Sequence, residues 1–173
     1  MDSIASYFSI APYDWHAVGA AILCGTIIGI ERQIRGKPVG IRTSSLIVLG
    51  TYLFLATSGL LTGNALDPSR VVGQVITGVG FLGAGVMLSK DGSVIGVTSA
   101  AAIWVLAAMG VMISMGYYSH AIKMALLVVC LLWGVDILED NTVAMSKGVY
   151  SRMKKRRSIA KAKAHRSIRR GDD

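Results

Sequence analysis

Charge is scarce through most of this chain and missing outright from three long stretches. No Asp, Glu, Lys or Arg occurs from Thr43 to Leu66, from Val71 to Ser89 or from Gly92 to Ile122. Such runs fit hydrocarbon, not the solvated surface of a soluble domain. Cysteine is nearly missing too: Cys24 and Cys130 both fall inside apolar segments, which suits buried thiols and supplies neither a disulfide framework nor a metal-binding spacing. The opening segment, MDSIASYFSIAPYDWH, has no basic region and does not read as a cleaved signal peptide. No Asp-Lys-Thr-Gly-Thr sequence and no GxxxxGK[ST] loop supports an ATP-driven pump, and no internal repeat suggests a secondary transporter. His16, His120 and His165 are scattered, one to a region, and build no metal site or catalytic triad by proximity. No enzyme is expected.

What the chain does have is long apolar runs, and a helix needs ~20 such residues to cross ~30 Å of hydrocarbon. Spans are expected near residues 15–31, 43–63, 71–89, 96–115 and 120–138. Trp15 would anchor the first at the interface, and Lys123 can snorkel to extend the last. Turn-forming breakers divide the runs: Gly36-Lys37-Pro38, Leu66-Asp67-Pro68, Lys90-Asp91-Gly92-Ser93 and the segment from Ser114 to Ser119. The expected fold is an all-α integral membrane bundle of five helices over residues 1–140, followed by a basic tail over 141–173.

The basic residues orient it. Of 18 Lys and Arg, 11 lie at or beyond Lys147. With the N-terminus outside, only Arg70 and Lys123 remain on the outer side, which the positive-inside rule strongly prefers. A four-span alternative, with the first segment lying on the surface, also keeps the tail inside. The small-residue stripe Ala21, Gly25 and Gly29 supports a true first span, because small residues let membrane helices approach.

Glycine and alanine mark further contacts. The third span carries Gly73, Thr77, Gly80 and Ala84 along one face, with Gly78 and Gly85 a heptad apart beside it and Gly83 between. The fourth adds Ala107, Gly110 and Ser114. Small residues on more than one face predict that the third helix is central, touched by several neighbours or by another subunit in a homo-oligomer.

Several segments together carry a family resemblance. GIERQIRGKPVGIRTSSLIVLG, DPSRVVGQVITGVGFLGAGVML and GVTSAAAIWVLAAMGVMISMGYY contain Glu-Arg, Gly-x-Arg-Thr, Gly-x-Gly-Phe-Leu-Gly-Ala-Gly and Ala-x-x-x-Trp in order. The chain resembles the MgtC/SapB family over roughly Gly19 to Tyr118, in a short form in which tail-like sequence stands where several relatives carry a soluble ACT-like domain. Ser99 stands where a second Thr is usual. The resemblance implies a bacterial inner-membrane protein of several passes. It also implies adaptation to low magnesium, intracellular survival in pathogens, and an effect on another membrane complex, the ATP synthase. An alternative reading is a small oligomeric channel or carrier for magnesium or another ion.

Polar residues at membrane depth are the functional candidates. Glu31 and Arg32 end the first span; Arg42 and Thr43 open the second. Glu31 either snorkels with Arg32 or Arg42 at a boundary, or joins Arg42 in a network linking the two helices. Asp67 and Arg70 lie at the outer boundary, and Gln74 and Thr77 lie within the third span, where the amide must find a partner in the bundle or in another subunit. The resemblance adds Trp104 and places Glu31, Arg42, Arg70 and Gln74 in the family motif. No cofactor is expected. Magnesium, a hard cation, would favour oxygen ligands, and Asp136, Glu139 and Asp140 share a helix face, although ion pairing explains such a group as well. The tail, with Lys154, Lys155, Arg156 and Arg157 at its densest, fits anionic lipid headgroups at about 1 kcal/mol per cation. It lacks the interleaved aromatics of a nucleic-acid binder.

Overall fold

Aspartate starts two of the helices. Asp14 accepts a hydrogen bond from the His16 amide at 2.9 Å, and Asp67 accepts one from the Ser69 amide at 2.9 Å. Both satisfy donors that a helix leaves free at its N-terminus, and Pro68, at the first helical turn, loses nothing by lacking an N–H. A computed structural model describes residues 9–60, 67–90 and 93–141. Its elements are α1 (Trp15–Ile34), α2 (Ile41–Leu60), α3 (Pro68–Val86), β1 (Leu88–Lys90), β2 (Ser93–Ile95), α4 (Val97–Ser114) and α5 (Tyr118–Asn141). All five helices are long and apolar enough to cross a membrane. The expected five-span helical bundle is therefore present. An addition to it is the antiparallel pair of β1 and β2, with Leu88 opposite Ile95 and Lys90 opposite Ser93, beside the Asp-Gly turn signal.

The chain divides into two units, the first ending at Val129 and the second beginning at Cys130, within α5. The described part of the second unit is the closing helical stretch from Cys130 to Asn141. The tail residues Lys154, Lys155, Arg156 and Arg157 lie outside the described residues.

The first unit is built on α1, α2 and α4. Their shared core holds Cys24, Ile28, Val48, Ile103, Leu106, Met109 and Ile113, all nearly or fully enclosed. Ala121 and Ala125 of α5 join the same core. The α1–α2 contact is backbone on backbone. A Cβ on Gly25 would lie 2.5 Å from the Ser45 nitrogen, and one on Gly29 2.7 Å from the Ile41 nitrogen. Only glycine permits that approach, so the stripe at Ala21, Gly25 and Gly29 is a true helix seam. Gly110 repeats the device between α4 and α2, where a Cβ would meet Thr51 Cβ at 2.5 Å and the Val48 carbonyl at 2.7 Å.

Within a single copy the third helix is peripheral, so of the two contacts expected for its small faces the structure bears on several neighbours in the chain and not on another subunit. It lies against α4 and touches α2, but a Cβ on Gly73, Gly78, Gly80 or Gly85 would meet nothing of another helix within 4 Å. Gly83 alone among its glycines has a neighbour, Ala100 Cβ at 3.7 Å. The physical reason is angular. Val72, Val75, Val79 and Gly83 recur at 3, 4 and 4 residues and fill one face, and this is the face turned to α4. The other small residues point away from it.

Candidate functional site

The polar groups gather at the two ends of the first unit and along the free side of α3. Where α1 finishes, Glu31 and Arg32 are both buried, each with a side chain 3% exposed. Arg32 donates to Glu31 through both Nε and Nη2, the latter at 3.0 Å from Oε1. This fork-to-fork pairing is the strongest geometry a guanidinium and a carboxylate can adopt. Arg35 adds a longer contact, its Nε 4.0 Å from Glu31 Oε1. Arg32 Nη1 is buried and has no hydrogen-bond partner among the described residues.

The partner of Glu31 is thus its neighbour in sequence and not Arg42. Arg42 and Thr43 are exposed. The buried positions of α2 are Ser44, Val48, Thr51 and Tyr52. Arg42 precedes Ser44 by two residues, about 200° around the helix, so it points away from α1. Between the two helices Val39 takes a left-handed φ of 69°, and its carbonyl accepts a hydrogen bond from Ser44 Oγ at 3.0 Å. A branched side chain rarely adopts that backbone, and the buried hydroxyl holds it.

At the opposite end lies a cluster that sequence reasoning missed. Asp14 Oδ2 accepts from Tyr118 Oη at 2.7 Å, the Asp14 amide donates to Tyr52 Oη at 3.2 Å, and Tyr13 Oη lies 2.9 Å from Thr57 Oγ1. The starts of α1 and α5 are thereby tied to the far half of α2. The Tyr118 hydroxyl, joined by the amide and ring of His16, holds the Asp14 carboxyl down at about 2. An Asp directly before an apolar helix was a readable capping signal. Its partner 104 residues downstream was not.

On α3, Asp67, Arg70, Gln74 and Thr77 are all exposed, and Asp67 is held below the usual carboxylate range by the Ser69 hydroxyl and amide. Thr77 satisfies its own hydroxyl by donating to the Gly73 carbonyl at 2.9 Å. Trp104 does not join this group. It is half exposed and lines an apolar groove of about 210 Å³ between α3 and α4, together with Val72, Val75, Val79, Ala107 and Val111. Gln74 and Trp104 therefore serve opposite sides of α3.

Asp136, Glu139 and Asp140 fall on α5, and their side chains lie outside the described residues. Among those described, no three His, Cys, Asp or Glu side chains come together in a way that could hold a metal ion.

Comparison with known proteins places the chain. The sequence profile of the MgtC family matches residues 18–141. The chain is 48% identical over 110 residues to a putative magnesium transporter, YhiD, of Escherichia coli K12, covering 60% of this chain and 51% of that protein. It is 40% identical over 104 residues to the protein MgtC of Brucella abortus 2308, covering 60% and 43%. With the protein MgtC of Salmonella typhimurium 14028s it shares 36% over 111 residues, covering 64% and 47%. The chain spans about half the length of the curated relatives it matches. No solved structure gives a significant match. A match over most of the five-helix region, with the Glu-Arg, Gly-x-Arg-Thr and glycine-rich segments in place, identifies this multi-pass membrane protein as a member of the MgtC family.

Proposed function

We propose that the chain is a bacterial inner-membrane protein that supports adaptation to low magnesium by packing against and regulating another membrane complex, the ATP synthase being the one the family resemblance implies. In pathogens the same role would serve intracellular survival. The carrying observation is the filled interior of the first unit. Apolar side chains from Ala17, Cys24 and Ile28 through Val48, Ile103, Leu106 and Met109 close it. Glu31, the buried carboxylate among the described residues, is held by Arg32. An ion path through a bundle is lined by polar or charged groups facing it, whereas a helix-packing regulator needs open lateral surfaces. The groove at Trp104 is such a surface. The reading is non-enzymatic, and anionic headgroups at the basic tail would hold the inner face.

The second reading, a small oligomeric channel or carrier for magnesium, draws on Gln74 facing outward within a span and on the transporter name of the Escherichia coli relative. Magnesium flux into liposomes holding the purified protein separates the two. The regulatory reading expects flux no greater than in protein-free vesicles, together with loss of growth at limiting magnesium when the gene is removed. Flux that Gln74→Leu abolishes would establish the channel reading in its place.

A further inference from the structure

We propose that the free side of α3 is a self-association surface, on which Gln74, Gly78, Phe81 and Gly85 form the seam between two copies of this chain. Four features of that side converge. Gln74 is exposed although it lies about 9 Å into a span, at 1.5 Å of rise per residue from Pro68. Phe81 is 82% exposed, the most open of the large apolar side chains in the helices. At Gly78 and Gly85, three residues before it and four after, an added Cβ would meet nothing within 4 Å. The positions succeed one another at 4, 3 and 4 residues, the 3.5-residue period that keeps one face of a helix against another crossing at about 20°.

Lipid would accept Phe81 but could not hydrogen bond the Gln74 amide. A second copy can do both. Two copies inserted by the same rules share one orientation and one depth, so a two-fold axis along the membrane normal sets each α3 residue opposite its own equivalent. An amide carries donor and acceptor together, and Gln74 therefore completes itself against Gln74. At the next layers the Phe81 ring of each copy enters a hole framed by Gly78 and Gly85 of the other, where the missing side chains leave room. Asp67 and Arg70, opposite in charge and exposed at the head of the same helix, form no ion pair among the described residues and face each other across the same axis. The surface is thus self-complementary in charge, hydrogen bonding and shape. It does not depend on whether the protein regulates a complex or passes an ion.

The test is a cysteine scan along α3 in liposomes, in a Cys24→Ala, Cys130→Ser background. Under mild oxidation, Gln74→Cys and Phe81→Cys should give a band of twice the chain mass. Ile76→Cys, on the groove side, and Phe54→Cys, 70% exposed on α2, should not. Single-molecule photobleaching of labelled protein should show Gln74→Leu and Phe81→Ala each weakening pairing about tenfold, an interhelical bond or packed knob of ordinary strength. Neither side chain is buried in the monomer, so thermal unfolding in monomerising detergent should stay unchanged and exclude misfolding as the cause. Cross-linking as strong through Phe54→Cys as through Phe81→Cys overturns the proposal. So do monomers at every protein-to-lipid ratio, or a cross-linked band of any other mass in native membranes.

Discussion

Replacing Glu31 by Gln changes few atoms and should damage the fold severely. Both members of the Glu31–Arg32 pair have side chains only 3% exposed, so neither charge is hydrated from outside. The amide keeps the shape of the carboxylate but carries no charge to neutralise the guanidinium. It also leaves Arg35, 4.0 Å from the same oxygen, facing a second cation without the anion between them. Breaking a buried pair from one side costs ~3–5 kcal/mol, against a total stability of ~5–15 kcal/mol for a typical domain. Removing both charges is different, because desolvating an ion pair offsets most of its attraction; the double variant Glu31→Leu, Arg32→Met should fall within about 2 kcal/mol of the parent. Arg42→Gln, on the exposed side of α2, should stay within about 0.5 kcal/mol. Unfolding in bicelles, followed by tryptophan fluorescence, measures these proteins, and the single variants Glu31→Leu and Arg32→Met complete a double-mutant cycle with the double one. If Glu31→Gln cost less than ~1 kcal/mol, as for an exposed pair, or if the two losses simply added, the reasoning from burial would be refuted.

Three other outcomes follow from the same geometry. Gly25→Ala and Gly110→Ala, whose new carbon would fall inside a neighbouring helix, should each cost ~1–3 kcal/mol, whereas Gly73→Ala, in open space, should stabilise by ~0.5–1 kcal/mol; thermal unfolding in detergent ranks them. Because the folded pKa of Asp14, about 2, lies below its ordinary value of 3.8, its contribution is complete above the higher figure and disappears as pH falls through the lower. Melting temperatures recorded between those pH values should therefore drop in the parent protein, and Tyr118→Phe, by letting the folded pKa rise toward its ordinary value, should make that drop smaller. A reporter fused after Ile10 should read as external and one after Gly148 as cytoplasmic; a cytoplasmic signal at both sites would mean four crossings and reject the five-span topology.

The helices were legible because hydrocarbon imposes a strong pattern. Spans long enough to cross it and free of charge have little alternative to being helical. The α1–α2 seam was legible for a related reason, since the four-residue spacing from Ala21 to Gly29 describes one face of one helix. What failed was ranking one small-residue face against another. The third helix has more glycine than the first, yet glycine count records only that approach is permitted. Which neighbour arrives depends on where Val72, Val75 and Val79 lead the helix, and that is tertiary. The same limit applied to charge. Glu31 had two possible cations in reach by sequence, and the choice was made by the rotation of α2, which turns Ser44 inward and Arg42 outward. Tyr118 and Asp14 show the limit at its widest, since nothing local in either segment announces the other.

The neighbouring positions of Glu31 and Arg32 also bear on how the protein is made. A charge pair drawn from two different helices would exist only after those helices had met, and each would enter the bilayer as a separate ion. Here the two charges are consecutive on α1, so they neutralise each other as soon as that one helix forms. A charge costs less near the end of a membrane helix than at its middle, and Glu31 and Arg32, in the last turn of α1, enter as one dipole, which lowers the cost further. The first span can thus leave the insertion machinery with its polar end already closed, ready for the glycine seam on which α2 later settles.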